Sequence, residues 1–234
     1  MTIPWIFVEH LPTSAHAVCR ITADEARHAA GSRRLRVGDP IQLFDGRGGV
    51  ALSQMGALDR DGAFDAVVLS HSVQRARSPA VEIASAIPKG DRLATLFEAI
   101  GPLAAARFTP LACTHSVVPW SPQLVGRAQR VLIASCKQAH QPWLPTIASA
   151  CDPLTAADDA IARSMRVFIA HPDGSALAAV DRSQPSTVLI GPEGGFTDAE
   201  VASVEAAGGQ RIALGSAILR IELAVAVVLA QWRN

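Results

Sequence analysis

The chain has 234 residues, of which 49% are hydrophobic, and its 21 basic and 21 acidic side chains give a formal net charge of zero. This length and apolar content predict a globular protein with one large or two modest domains and a substantial core. A molecule without net charge has no long-range field that would hold a polyanion, so any contact with nucleic acid must come from local patches.

The residue pattern favours neither a membrane protein nor a secreted one. Charged side chains interrupt every apolar run well short of the roughly 20 residues that a spanning helix needs, and the N-terminus lacks a leader pattern. The four cysteines are far apart and form no C-x-x-C pair, which argues against a zinc site and for reduced, mostly buried thiols. We therefore expect a cytoplasmic protein that contacts no membrane and holds no metal.

Residues 1–72 show short β-like runs that alternate with glycine and aspartate turns, for example at residues 40–49 and 63–69. This pattern predicts a small β-barrel. A following stretch with two arginines and a proline, residues 73–80, predicts a linker to a second domain over residues 81–234.

The second domain alternates predicted strands with predicted helices. We predict strands at residues 81–87, 107–111, 166–170, 187–190 and 211–214. We predict helices at residues 91–100, 123–139, 154–163, 197–207 and 218–232. Such alternation predicts an α/β domain with a mostly parallel sheet.

Two glycine-bearing turns follow the last two predicted strands, at residues 191–196 and 214–219. Ligands of open α/β sheets bind outside the carboxyl ends of the strands, so these turns could form two walls of one pocket. Thr197 and Glu200 have the spacing of a capping box, which predicts that a helix begins directly after the first turn. Neither turn matches a dinucleotide fingerprint or a P-loop. The alternative is a tight strand-to-helix turn that binds no ligand.

The clearest basic cluster is Arg33, Arg34 and Arg36, which Arg27 precedes. Arginine is also in large excess, because Lys89 and Lys137 are the only lysines. Arginine clamps phosphate with two nitrogens and stacks on bases, so the cluster fits contact with RNA. An ordinary solvated face is the alternative.

These motifs together resemble a known family, the RsmE-type methyltransferases of the SPOUT superfamily. The closing motifs are carried by residues 191–196, 214–215 and 218–220 and by Glu222. Residues 27–28, 35–39 and 44–46 are similar to the family's N-terminal PUA-like RNA-binding barrel, and residues 88–92 to the opening of its catalytic domain.

The resemblance implies a SPOUT fold, which is a trefoil-knotted α/β domain with a mostly parallel sheet, after a small PUA-like β-barrel. It implies an enzyme that uses S-adenosylmethionine to methylate N3 of a uridine in 16S ribosomal RNA. The implied partners are ribosomal RNA or the small ribosomal subunit and a second copy of the chain, since the family dimerises through its knot.

The resemblance also assigns site residues. The cofactor would lie, largely against main-chain groups, on Ala170, His171, Ile190, Gly191, Gly194, Gly195, Leu214, Gly215, Ser216, Ile218 and Leu219. We assign Arg220 to the catalytic role of stabilising charge on the base, with a structural ion pair to Glu222 or Glu193 as the alternative. Glu193 would anchor its loop or contact the substrate, and His171 would face the cofactor or cap its strand. The expected RNA-binding residues are Arg27, Arg33, Arg34, Arg36, Lys89 and Lys137.

Several polar groups of the family differ here. Residues 114–116 read Thr-His-Ser where the family has Glu-Arg-Ser, and Ala217 replaces an arginine. Lys137 and His140 replace polar groups of the central helix or are simply solvated. Two alternatives therefore stand beside the family activity. One is a degenerate relative that binds cofactor or RNA without methyl transfer, and the other is an enzyme retargeted to another nucleotide.

Overall fold

The computed structural model describes residues 3–30 and 35–232, which form two compact units. The N-terminal unit contains the described residues up to Ala76 together with Cys136–Leu144. The second unit contains Arg77–Ser135 and the described residues from Pro145 onward. The predicted domain boundaries did not anticipate that residues 136–144 would group with the N-terminal unit.

The N-terminal unit is built on a five-stranded sheet in the order β1-β3-β4-β5-β2. Its elements are β1 (Trp5–Phe7), β2 (Val18–Ile21), α1 (Ala23–Ala30), β3 (Pro40–Phe44), β4 (Gly49–Leu58) and β5 (Phe64–Val73). Only β1 and β3 pair in parallel, and the other neighbours are antiparallel. Two register shifts interrupt the long pairing of β4 with β5, and such irregularities increase the twist of a strand pair.

Side chains that point alternately to the two faces of these strands form the core of the N-terminal unit. Ile41 and Leu43 of β3 point inward together with Phe64, Ala66 and Val68 of β5. Successive side chains of a strand point to opposite faces, so a run with every second residue apolar buries one face of the sheet.

The segment Cys136–Leu144 is held to this unit by specific contacts. The ammonium of Lys137 forms an ion pair with Glu25. His140 adopts a left-handed φ of 54° and stacks on Trp5 with 5.2 Å between ring centroids. The indole nitrogen of Trp143 donates to the carbonyl of Gln74 at 3.2 Å. Lys137 and His140 thus contact Glu25 and Trp5, so they are not simply solvated.

The second unit is built on a six-stranded sheet in the order β11-β9-β10-β6-β7-β8, with every neighbouring pair parallel. The strands are β6 (Val81–Ser85), β7 (Arg107–Pro110), β8 (Thr146–Ile147), β9 (Arg166–Ala176), β10 (Ser186–Ile190) and β11 (Gln210–Ala213). The helices are α2 (Arg92–Ile100), α3 (Pro122–Ala139), α4 (Pro153–Ala162), α5 (Asp198–Ala206) and α6 (Ile221–Gln231). The last residues of α3 are those that group with the N-terminal unit.

The predicted parallel α/β sheet is confirmed, and each of the five strands and five helices predicted beyond residue 80 is present. Strands β6 and β10 are buried along their whole length, as expected for central strands covered on both faces. The two-residue strand β8 was not predicted. None of the helices in the described ranges has the length and apolar character needed to cross a membrane.

Candidate functional site

A cavity of about 400 Å³ opens in the second unit beside the middle of β9 and the loops that follow β10 and β11. Its walls are residues 170–172, the glycine loop 191–196 and the turn 214–219, completed by Ile190 and by two residues of α6. All eleven residues predicted to bind the cofactor line this one cavity, and so does Glu193. The volume falls within the roughly 300–1,000 Å³ of typical small-molecule sites.

The glycine loop enters α5 through the predicted capping box, which the structure confirms. The hydroxyl oxygen of Thr197 accepts from the main-chain N–H of Glu200 at 3.2 Å. The Glu200 carboxylate accepts in return from the main-chain N–H of Thr197 at 2.8 Å. This reciprocal pair satisfies two N–H groups that a helix start would otherwise leave unpaired, so the end of the loop is well defined.

Glu193 is anchored from another element. Its Oε1 lies 3.1 Å from Nη1 of Arg92 in the first turn of α2. The two side chains are only about one-third exposed, at 37% and 31%. This ion pair supports the anchoring interpretation of Glu193, and it also means that Glu193 does not pair with Arg220.

Strand β9 forms one wall of the cavity where its pairing with β11 becomes irregular, which the sequence did not predict. Its pairing with β11 places Ile169 opposite Arg211, whereas the next pair is Ser175 opposite Ile212. Residues 170–174 therefore depart from the regular pairing, and 170–172 face the cavity. A side chain at Gly174 would place a Cβ 2.4 Å from the carbonyl carbon of Ile212, so only glycine fits at this approach.

His171 lies within β9, and the prediction that the strand ends before it is wrong because β9 continues to Ala176. Its Nδ1 accepts from the main-chain N–H of Asp173 at 3.2 Å. The neutral ring consequently carries its proton on Nε2, which makes that nitrogen a hydrogen-bond donor. The described residues contain no cluster of three histidine, cysteine or acidic side chains placed to hold a metal ion.

The turn 214–219 offers main-chain groups to a ligand. Within residues 3–30 and 35–232, none of its N–H or C=O groups forms a hydrogen bond to another part of the chain. Polar main-chain groups in folded proteins are nearly always paired with protein, water or ligand. Unpaired donors and acceptors beside the apolar side chains of Ile190 and Leu219 fit a ligand with both polar and apolar parts.

Arg220 follows this turn directly as the N-cap of α6, and its side chain is exposed. The neighbours Leu219 and Ile221 line the cavity, whereas Arg220 does not. Among the residues that the structure describes, Arg220 has no ion pair and no side-chain hydrogen bond. The structural ion pair to Glu222 or Glu193 is therefore not seen among the described residues.

The predicted RNA-binding residues differ in their surroundings. Arg27 is exposed and pairs with Asp24 at 2.8 Å, and Arg36 and Lys89 are exposed. Lys137 forms an ion pair with Glu25, and its side chain is only 16% exposed, which favours a structural role. Arg33 and Arg34 lie outside the described residues.

Sequence reasoning missed several groups at the cavity. Arg92 belongs to residues 88–92, which carry part of the family resemblance, but nothing in this motif indicated that Arg92 pairs with Glu193. Pro172 and Ala224 also line the cavity and carry no recognisable signal. His115, for which the sequence suggested no partner, lies against the glycine loop with its Nδ1 3.1 Å from the carbonyl oxygen of Gly195.

The fold and the cavity define an α/β protein with a ligand site at the carboxyl ends of its parallel strands. Comparison with known families gives the same class, since a model of an RNA methyltransferase domain matches residues 76–233 and one of an RNA methyltransferase PUA domain matches residues 21–64. The chain belongs to this RNA methyltransferase family, and the RsmE-type resemblance is confirmed.

Individual relatives agree with this assignment. The chain is 29% identical over 230 residues to a ribosomal RNA small subunit methyltransferase E from Synechocystis, an alignment that covers 92% of this chain and 72% of the relative. It is 27% identical to the protein of that name from Mycobacterium bovis, with 95% and 88% of the two chains covered. These values apply along nearly the whole chain, including both units.

A solved structure shares the fold. The ribosomal RNA small subunit methyltransferase E of Neisseria gonorrhoeae, bound to S-adenosyl methionine, superposes with a TM-score of 0.88 at 23% identity. The match covers 98% of this chain and 96% of that one. The predicted fold class is thereby confirmed, including the PUA-like N-terminal domain, and the trefoil knot stays a prediction.

Proposed function

We propose that this protein is an S-adenosylmethionine-dependent methyltransferase that modifies N3 of a uridine in 16S ribosomal RNA. The observation that carries the proposal is the cavity itself, which is lined by the glycine loop and by the turn 214–219, whose main-chain groups are unpaired among the described residues. Family membership and relatives named ribosomal RNA small subunit methyltransferase E support the reaction and the substrate class.

The residues present fit the cofactor. Main-chain N–H and C=O groups of the turn 214–219 would hold its polar edges, and Ile190, Leu214 and Leu219 would pack against its apolar parts. S-adenosylmethionine supplies, when bound, an electrophilic methyl group on a positively charged sulfur. The protein's contribution is to hold the acceptor nitrogen in line with that methyl group and to exclude water.

Arg220 has the position and the charge to act on the acceptor base. Uridine N3 must lose its proton to solvent before its lone pair can form the new N–C bond in exchange for the methyl–sulfur bond, so negative charge develops on the base. A guanidinium beside the cavity stabilises that charge and cannot itself lose a proton under ordinary conditions. The free, exposed side chain of Arg220 fits this role, and Glu193 acts by anchoring the glycine loop through Arg92.

We assign RNA capture to the N-terminal PUA-like domain, residues 1–72, with residues 73–80 as the linker to the catalytic domain 81–234. The exposed side chains of Arg27 and Arg36 support phosphate contact there, and Lys89 would add a contact in the catalytic domain. Such contacts make affinity depend on salt, because each neutralised phosphate releases counterions. Since ribosomal RNA is the proposed substrate, we place the protein in the cytoplasm.

We further propose that the protein works as a homodimer. Ile218, which lines the cavity, is 94% exposed, and Leu223, in the first turn of α6, is 51% exposed. Glu222, between them in the sequence, is buried with an unpartnered Oε2 among the described residues. A second copy that covers this surface would remove the apolar exposure. Light scattering at micromolar concentration should give twice the chain mass, and a monomer would contradict the proposal.

The direct test has two stages. Calorimetric titration with S-adenosylmethionine comes first, and labelled methyl transfer to 30S subunits that lack N3-methyluridine follows, with fully methylated subunits as the control. Binding with transfer to uridine N3 is the expected result. Binding without transfer would instead favour a degenerate or retargeted relative, and the absence of binding would contradict the cofactor assignment.

A further inference from the structure

The loop that follows β7 contacts the glycine loop of the cavity at Gly195 and the first turn of α5 at Glu200. We infer that Thr114 and His115 are positioning residues for the cofactor, acting through Glu200 and Gly195. This inference rests on the proposed function of the cavity, and neither residue lines the cavity itself. Both stand where the family pattern has a glutamate and an arginine.

The first point of contact is the carboxylate of Glu200. Its Oε1 accepts from the main-chain N–H of Thr114 at 2.7 Å and lies 3.1 Å from the Thr114 hydroxyl. Its Oε2 accepts from the main-chain N–H of Thr197 at 2.8 Å and lies 3.0 Å from the Thr197 hydroxyl. One side chain therefore caps α5 and holds the loop after β7.

Electrostatics supports this arrangement. Partial burial acts to raise the pKa of Glu200, but hydrogen bonds from Thr197 and Thr114 outweigh it and hold that pKa below its ordinary value. The carboxylate is thus ionised at neutral pH, and hydrogen bonds to an ionised acceptor are stronger than those between neutral groups.

The second point of contact is the imidazole of His115. Its Nδ1 lies 3.1 Å from the carbonyl oxygen of Gly195, and because a carbonyl can only accept, Nδ1 carries the proton. The ring also lies close to Gly194, where an added Cβ would be 3.1 Å from the Cβ of His115. His115 therefore holds the glycine loop at Gly195 and packs closely against it at Gly194.

These contacts matter for the cavity because the glycine loop, which they hold at its C-terminal end, is one of its walls. Residues 191–196 line the cavity, and Gly195 and Glu200 lie at the end of that wall and just beyond it. Arg92 holds the same wall at Glu193. Without the contacts of His115 or Thr114, the glycine loop would be held mainly by Arg92 at Glu193. The loop would then spend less time in the conformation that binds the cofactor.

The test compares His115→Ala, His115→Asn and Glu200→Ala with a matched control, Asp152→Ala. Asp152 caps α4 by accepting from the Thr155 N–H at 3.0 Å and lies outside the cavity, so its loss costs helix stability alone. We expect His115→Ala, which removes one hydrogen bond, to raise the Kd for S-adenosylmethionine by about fivefold, and Glu200→Ala, which removes four, to raise it at least as much. Asparagine can place an N–H where Nδ1 stands, so His115→Asn should restore most of the affinity.

Amide hydrogen exchange of residues 191–197 in the free protein provides a second measurement that needs no cofactor. Both alanine variants should accelerate exchange in this loop, and Asp152→Ala should not. Unchanged exchange, or a loss of affinity equal to that of Asp152→Ala, would overturn the inference. If the wild-type protein bound no S-adenosylmethionine, the proposed function would fail, and the exchange data would still decide whether His115 and Glu200 hold the loop.

Discussion

Arg92 Nη1 lies 3.1 Å from Glu193 Oε1, so the first turn of α2 holds the glycine loop that lines the cavity. These two residues are 101 positions apart in the sequence. This contact supports the interpretation that Glu193 anchors the glycine loop.

The first prediction tests this anchor by a double-mutant cycle. Arg92→Ala and Glu193→Ala should each weaken S-adenosylmethionine binding by up to about fivefold, and the double variant should be no worse than either. This estimate reflects the 0.2–1 kcal/mol that partly exposed ion pairs typically contribute. Arg211 and Glu205 form a control pair of similar exposure, 2.7 Å apart and outside the cavity lining, and Arg211→Ala should leave binding unchanged. A large fall in kcat for Glu193→Ala alone would show that Glu193 contacts the substrate.

The second prediction concerns Arg220. Arg220→Ala should lower kcat by about 100-fold or more, as does the removal of a single charge-stabilising donor elsewhere, with the Kd for S-adenosylmethionine changed less than twofold. Arg130 is an exposed arginine of α3 away from the cavity, and Arg130→Ala serves as the control for loss of one positive charge. A loss of cofactor affinity that matches the loss of turnover would show instead that Arg220 is structural.

The third prediction concerns Gly174. Gly174→Ala should destabilise the protein by about 1–3 kcal/mol, because the added Cβ would meet the main chain of Ile212 at 2.4 Å. Gly126 in α3 is the control, since a Cβ there meets nothing within 4 Å and alanine is the better helix former. Thermal denaturation should therefore show a lower Tm for Gly174→Ala and an unchanged or higher Tm for Gly126→Ala. Equal Tm values would contradict the close approach of β9 to β11.

The fourth prediction concerns alkaline pH. Burial raises the pKa of Cys113 and of Cys136 to about 12 from an ordinary value of 9.0. Both thiols therefore ionise in the unfolded chain at a pH where they stay neutral in the folded protein, so stability is full below pH 9 and falls as pH rises from there toward 12. The slope approaches about 1.4 kcal/mol per pH unit for each thiol.

Composition makes this effect easy to measure, because the chain has no tyrosine and only two lysines that titrate in the same range. Urea denaturation at pH 8, 9 and 10 should show the fall, and Cys113→Ala and Cys136→Ala should each reduce it. A pH dependence that both variants leave unchanged would contradict the assignment. In the folded protein at pH 8, both thiols should also resist alkylation.

The sequence by itself determined much of the second unit. Strand β10 was predicted because residues 188–190 form a short apolar, β-rich run that is typical of a buried parallel strand. Helix α5 was predicted because Thr197 and Glu200 have capping-box spacing. The cavity followed from two glycine turns at strand ends, since parallel topology brings carboxyl ends to one edge. These signals are local, or they depend only on the class of fold.

The tertiary structure alone decided how the cavity walls are held. Thr114 reaches Glu200 across 86 residues, and His115 reaches Gly195 across 80. The departure of residues 170–174 from the β9–β11 pairing likewise depends on where Ile212 lies in space. Such contacts leave no periodicity in the sequence, because they form only after distant segments have been brought together by the packing of the core.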